Sequence, residues 1–118
     1  MIKKYDIKDR TYQFAVEIVK FSRLLLKNTE VRDIGRQLIR SGTSIGANVE
    51  EADGARTRKE FGNKMTIGRN EAKETAYWLR LIIDSDLLHN KSNIEKANAL
   101  LSECNELAKI LSSIIQKV

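Results

Sequence analysis

RSGTSIGANVEEADGARTRKEFGNKMTIGRNEAKETAYWLR, running from Arg40 to Arg80, is the stretch on which the fold turns. Small and apolar residues recur in it at steps of three and four on both sides of a break at Asp53–Thr57. Before the break, Ser41, Ile45, Val49 and Ala52 share one helical face, continued upstream by Ile34 and Leu38. After it, Phe61, Met65, Gly68, Ala72, Ala76, Leu79 and Ile83 hold one face for about six turns. Thr57-x-x-Glu60 is a capping-box pattern, so a new helix starts there. The spacing predicts two long helices joined by a short turn. Gly35, Gly42 and Gly46 form an edge beside the first stripe, and glycine inside a helix costs up to about 1 kcal/mol. Three on one edge predict a close backbone crossing, and the small middle of the following helix is the expected partner.

Working outward, Phe14, Ile18, Phe21 and Leu25 align along a helix expected over Thr11–Asn28, with Ala15, Val19 and Leu26 widening the face. Asn28 suits its C-terminal end and Thr29 an N-cap for the next helix. Downstream, Asp84-Ser85-Asp86 and His89-Asn90-Lys91 bracket a turn, and Ser92-x-x-Glu95 is a second capping box. Ile94, Ala97, Leu101, Cys104, Ala108, Leu111, Ile115 and Val118 then alternate steps of three and four without a break. Leu100, Leu107 and Ile114 add a third column, a width that suits a bundle helix with two neighbours. The expected architecture is a single all-α domain over residues 1–118: an antiparallel up-down-up-down four-helix bundle.

Composition narrows the function classes. Charged residues make up 31% and hydrophobic ones 42%, the balance of a folded domain rather than a disordered chain. The absence of proline favours uninterrupted helices. The net charge of +5 sits mainly in the first thirty residues, where seven Lys/Arg face four Asp/Glu. That excess permits an acidic partner without demanding one. The single cysteine forms no internal disulfide, the start MIKKYDIKD has no apolar leader, and no run approaches the ~20 residues that span a bilayer. A cytoplasmic protein without a membrane partner is the expectation.

The central segments resemble a known family. RSGTSIGANVEEA, from Arg40 to Ala52, and EFGNKMTIGRNEAKETAYWLR, from Glu60 to Arg80, are similar to the four-helix-bundle proteins of the 23S rRNA intervening-sequence type, also labelled S23 ribosomal proteins. Ser41, Ser44, Ile45, Asn48, Glu51, Phe61, Lys64, Glu71, Glu74, Tyr77, Trp78 and Leu79 fall on that family's characteristic positions. The resemblance implies a homo-oligomeric ring, with a pentamer favoured. It also implies kinship with the accessory protein of diversity-generating retroelements, a basic pentameric barrel that binds nucleic acid and a reverse transcriptase. The family name records where its genes sit, inside rRNA insertions.

Candidate sites follow. Gly42-Thr43-Ser44-Ile45-Gly46 spells a nucleophile elbow, with Asp84 or Asp86 and His89 in hydrolase order. An elbow needs a strand-to-helix turn, whereas this segment reads as mid-helix. Ser41, Gly42, Ser44, Ile45, Gly46 and Asn48 are instead expected to form a helix-packing motif, with Asn48 buried and setting register. Glu50, Glu51, Glu71 and Glu74 bring to mind di-iron bundles, but the only histidine, His89, reads as a loop residue. These carboxylates should pair with Lys64, Arg69 or Lys73, or with another subunit. Neither metal nor cofactor nor catalytic residue is expected, and the chain reads as non-enzymatic. Tyr77 and Trp78, with Glu71 and Glu74, make a candidate oligomer interface, since tryptophan is enriched at binding hot spots. Cys104 lies on an apolar stripe and should be a buried, inert thiol. Arg32, Arg36 and Arg40, one turn apart, and Lys20, Arg23 and Lys27 on the back of the first helix are candidate contacts to RNA or DNA. The alternative is an adaptor scaffold whose partner is another protein.

Overall fold

The computed structural model describes residues 6–118; the N-terminal MIKKY, read above as lacking a leader, lies outside the described residues. Four helices follow in order: α1 (Ile7–Leu26), α2 (Arg32–Asp53), α3 (Arg58–Asp84) and α4 (Lys91–Gln116). Among the described residues there is no strand. Each helix packs along the next, and α4 returns to α1 through a much thinner contact, closing an up-down bundle of 46 × 26 × 19 Å. No helix of the described residues is long and apolar enough to cross a membrane.

The helix starts show which local signals prevail. α1 begins four residues before the expected Thr11, because Asp6 caps it by accepting the Lys8 amide at 2.9 Å. Thr11 is a buried residue of its second turn, its hydroxyl donating to the Ile7 carbonyl at 2.8 Å. α1 also stops at Leu26, short of Asn28. Thr29 does not cap α2. The Asn28 side chain accepts the Glu30 amide and shapes the turn, while buried Val31 takes the cap position without a side-chain bond. At α3, Thr57 accepts the Glu60 amide at 3.0 Å, as its capping box predicts. At α4 the cap is Asn90 rather than Ser92, accepting the Asn93 amide at 3.2 Å.

The core runs the length of the bundle. Phe14, Ile18, Phe21 and Leu25 of α1 meet Leu38, Ile45, Val49 and Ala52 of α2, Met65, Ala72, Leu79 and Ile82 of α3, and Ala97, Leu100, Cys104, Leu107 and Leu111 of α4. The most buried line of α4 is therefore rotated toward the Leu100–Leu107 column, and Ile94 is 36% exposed. On α3 the rotation is similar: Thr75 and Ile82 are buried, while Ala76 and Ile83 are only partly so. Val19 of α1 faces outward.

The glycine edge does mark a close crossing, but its partner is α1, not α3. A Cβ on Gly42 would sit 2.8 Å from Ile18 Cγ2, one on Gly35 3.0 Å from Leu25 Cβ, and one on Gly46 3.3 Å from the Thr11 backbone. Helix α3 approaches α2 through Gly68 instead, where an added Cβ would lie 3.5 Å from the Ile45 carbonyl oxygen. One helix thus carries two close contacts on adjacent edges, which a single stripe of small residues does not distinguish.

Candidate functional site

On the outer side of the α2–α3 pair, one polar network ties the two helices together. The Arg40 guanidinium reaches Glu71 at 3.4 Å and also bonds Glu74. The second Glu74 partner is the Trp78 indole N–H, at 3.0 Å. Trp78 in turn meets Tyr77 edge-on, with ring centroids 5.3 Å apart. The Trp78 and Arg40 hydrogen bonds hold the Glu74 carboxyl below its ordinary range, and the two carboxylates raise Arg40. The i,i+4 spacing of Glu74 and Trp78 on α3 makes the indole bond possible, and the α2–α3 crossing brings Arg40 opposite. Glu71, Glu74, Tyr77 and Trp78, singled out separately in the sequence, therefore form one constellation. Arg69 and Lys73, the expected partners of these carboxylates, take no part in it. Lys64 does pair as expected, with Glu51 at 2.6 Å.

Within that surface the aromatic pair is only partly covered by its own chain. Tyr77 is 54% exposed and Ile67, further along the outer side of α3, is 43% exposed, whereas Trp78 is half-buried. The hydrogen bond to Glu74 holds the Trp78 indole in place within the chain itself.

The arginine row is divided by its surroundings. Arg40 belongs to the network just described. Arg36 pairs with Asp33 at 3.3 Å, one turn back on the same helix. Arg32 donates through Nε to the Leu26 carbonyl at 3.1 Å and so caps the end of α1. The three still line one open cleft of about 420 Å³ with Leu26 and Ile39. Of the α1 residues, Lys20 lies 3.8 Å from Glu17, while Arg23 and Lys27 are exposed and have no carboxylate partner among the described residues.

The packing motif has two parts with different roles. Ser41 is fully buried and its hydroxyl donates to the Thr75 hydroxyl at 2.8 Å across the α2–α3 contact, Thr75 donating in turn to the Glu71 carbonyl at 2.7 Å; Ile45 and the two glycines pack beside Ser41. Ser44 and Asn48 face each other within α2, Asn48 donating to the Ser44 carbonyl at 2.8 Å and to its hydroxyl at 3.1 Å. Asn48 is half-buried rather than buried, and its hydrogen bonds stay inside its own helix, while its Cβ faces Gly68 of α3. The side-chain bond across the α2–α3 contact is made by Thr75, which the sequence reading did not single out. Its signal was its place seven residues after Gly68 and three after Ala72, on the inner face.

Ser44 lies inside regular α2, so the strained turn of a hydrolase elbow is not formed. Among the described residues no three His, Cys, Asp or Glu side chains gather to hold a metal. Cys104 is buried and donates to the Ala72 carbonyl at 3.0 Å; burial pushes its thiol up to about 12. A second feature passed over in the sequence is the R-T-R-K run, Arg56–Lys59, exposed at the α2–α3 turn.

Comparison with known proteins agrees with this geometry. The chain is similar to a crystallised protein of unknown function from the S23 ribosomal protein family of Bacteroides thetaiotaomicron. The two are 38% identical over 92% of this chain and 97% of that one, with a TM-score of 0.83. None of the curated proteins matches. Residues 3–113 match the 23S rRNA-intervening sequence protein family, and with nearly the whole chain covered, the protein belongs to that family.

Proposed function

We propose that this protein is a non-enzymatic, self-assembling four-helix bundle whose copies meet through the outer α2–α3 face. The observation that carries this reading is the Arg40–Glu71–Glu74–Trp78 network, which locks an indole beside the 54% exposed ring of Tyr77. A rigid aromatic pair beside neutralised charges is suited to burial against another chain, because little side-chain freedom remains to be lost. A ring is favoured, with five subunits the first expectation, in keeping with the kinship to the retroelement accessory protein that the sequence resemblance implies. Light scattering should give a multiple of the 13.5 kDa chain. Tyr77→Ala should weaken assembly by about 2 kcal/mol with helicity unchanged. A monodisperse monomer of the wild type at micromolar concentration would sink the reading.

A second reading is weak, sequence-tolerant binding of RNA or DNA by the basic side of the particle. It is favoured by Arg23 and Lys27, exposed without carboxylate partners among the described residues, near the cleft that Arg32 and Arg36 line. With Arg40 tied to two glutamates, the row contributes less free charge than its spacing promised. A scaffold that engages another protein instead predicts no nucleic-acid binding at ~150 mM salt.

A further inference from the structure

The densest run of cations in the described chain lies at the other end of the bundle. Arg56, Arg58 and Lys59 fall within four consecutive residues at the α2–α3 turn, all exposed, and none has a carboxylate partner among the described residues. This sets them apart from Lys8, Arg10, Arg36, Arg40, Lys64 and Lys96, each of which is paired. Lys117, at the end of α4, joins them: with Arg56, Thr57, Arg58 and Phe61 it lines an open cleft of about 360 Å³. Thr57 caps α3 through the Glu60 amide, so the free amides of the first turn and the positive end of a 27-residue helix point the same way. Glu60 is the one carboxylate in that first turn.

We infer that this turn is a docking surface for the phosphate backbone of a nucleic-acid strand. Guanidinium groups engage phosphate oxygens with two parallel N–H donors, and two of the cations are arginines. All four cations are exposed, and Arg56, Arg58 and Lys117 line an open cleft with no enclosure for a small anion, so a polymer that touches several at once fits better. Among the described residues the only aromatic ring lining the cleft is Phe61, half-buried against the core, so base stacking adds little and binding is sequence-tolerant. The inference rests on the phosphate chemistry of the second reading above but on different residues. The 22 residues of α2 separate the two basic surfaces by about 33 Å.

Fluorescence anisotropy of a labelled, mixed-sequence single-stranded RNA, titrated with the full chain from ~50 to ~200 mM salt, tests the assignment. Arg56→Gln/Arg58→Gln/Lys59→Gln should reduce the slope of log affinity against log salt by about 2, at roughly 0.7 per lost phosphate contact on a single strand. Affinity at ~100 mM salt should fall at least tenfold. Arg56→Lys/Arg58→Lys should keep the slope, because charge is retained and the Thr57 cap is untouched. Arg23→Gln/Lys27→Gln/Arg36→Gln reports what the opposite-end surface of the second reading contributes, and the turn variant should lose more affinity than it does. The inference is overturned if wild type does not bind at ~50 mM salt, or if the turn variant binds as wild type does. Loss of binding in the lysine variant equal to that in the glutamine variant would also overturn it. Loss confined to the opposite-end variant would leave the second reading standing and remove this one. Competition by polyglutamate as effective as unlabelled RNA of equal charge would assign the turn to an acidic protein and overturn it likewise. Particle mass, the test of self-assembly, should be the same for every variant.

Discussion

Helix α1 meets its two neighbours by opposite means. Against α2 it packs directly onto the glycine backbone: Thr11, Ile18 and Leu25 lie over Gly46, Gly42 and Gly35 with no room for a methyl group between Ile18 and Gly42. Against α4 the contact is thin. A groove of about 360 Å³ with Phe14 and Leu100 in its floor is crossed by two ion pairs, Arg10 with Glu103 and Glu17 with Lys96. Arg10 makes both of its bonds to Glu103, at 2.7 and 2.8 Å. Helices joined by a short turn come close enough for shape to decide their packing. The first and last helices, which close the bundle, are far enough apart that long charged side chains bridge the gap. Residues that look like a solvated face in the sequence can therefore be the clasp of a fold.

The strongest way to break this contrast is at the glycine contact. Ile18→Ala should lower stability by about 3 kcal/mol through the cavity it leaves, and Gly42→Ala by about 1–2 kcal/mol, overpacking offset by better helix propensity. Ile18 is fully buried and branched at Cβ, so it has no free end to swing away. In urea titrations the double variant should lose less than the sum of the two, because the clashing methyl groups have gone. Full additivity would mean that the glycine edge is not a steric contact. Gly62→Ala supplies the control. Its Cβ would lie 3.4 Å from a Val118 methyl, and the change should stabilise by about 0.5–1 kcal/mol.

Thr75→Val comes next, at about 1–2 kcal/mol, since it leaves the fully buried Ser41 hydroxyl without its partner. Pairing it with Ser41→Ala should recover much of that loss; no recovery would mean the two hydroxyls act separately. At the closing seam the effects shrink. Removing Glu103 as Glu103→Gln should cost about 0.5–1 kcal/mol, because both partners are part-exposed, and the difference should fade in molar salt. A salt-independent loss above this range would make the clasp as important as the glycine edge.

The smallest expected effect is one of pH. Glu74 has its carboxyl lowered from 4.5 by Trp78 and Arg40, so its contribution is complete above the ordinary carboxylate range. It is lost as pH falls through the lower value of the folded state. Trp78 fluorescence should shift in that acid window while the far-ultraviolet helical signal persists. Glu74→Gln should abolish the shift, and a shift that survives in that variant would assign the titration elsewhere.

Periodicity alone was sufficient for the four helices, their order and most of the core, because a long amphipathic helix has few ways to bury its stripe. Phe14, Ile18, Leu38, Ile45, Met65, Ala72, Cys104 and Leu111 occupy the core positions their spacing demands. The Thr57 cap was legible for the same local reason, since a capping bond joins residues three apart. Tertiary structure decided everything that depends on which helix faces which. The glycine edge turns to α1 rather than α3, Thr75 rather than Asn48 bonds across a helix contact, and Arg40 leaves the arginine row to join Glu71 and Glu74. Sequence spacing reports the angle of a side chain about its own helix axis. The rotation of one helix against another follows from how all four cores interlock, and no single stripe contains that information.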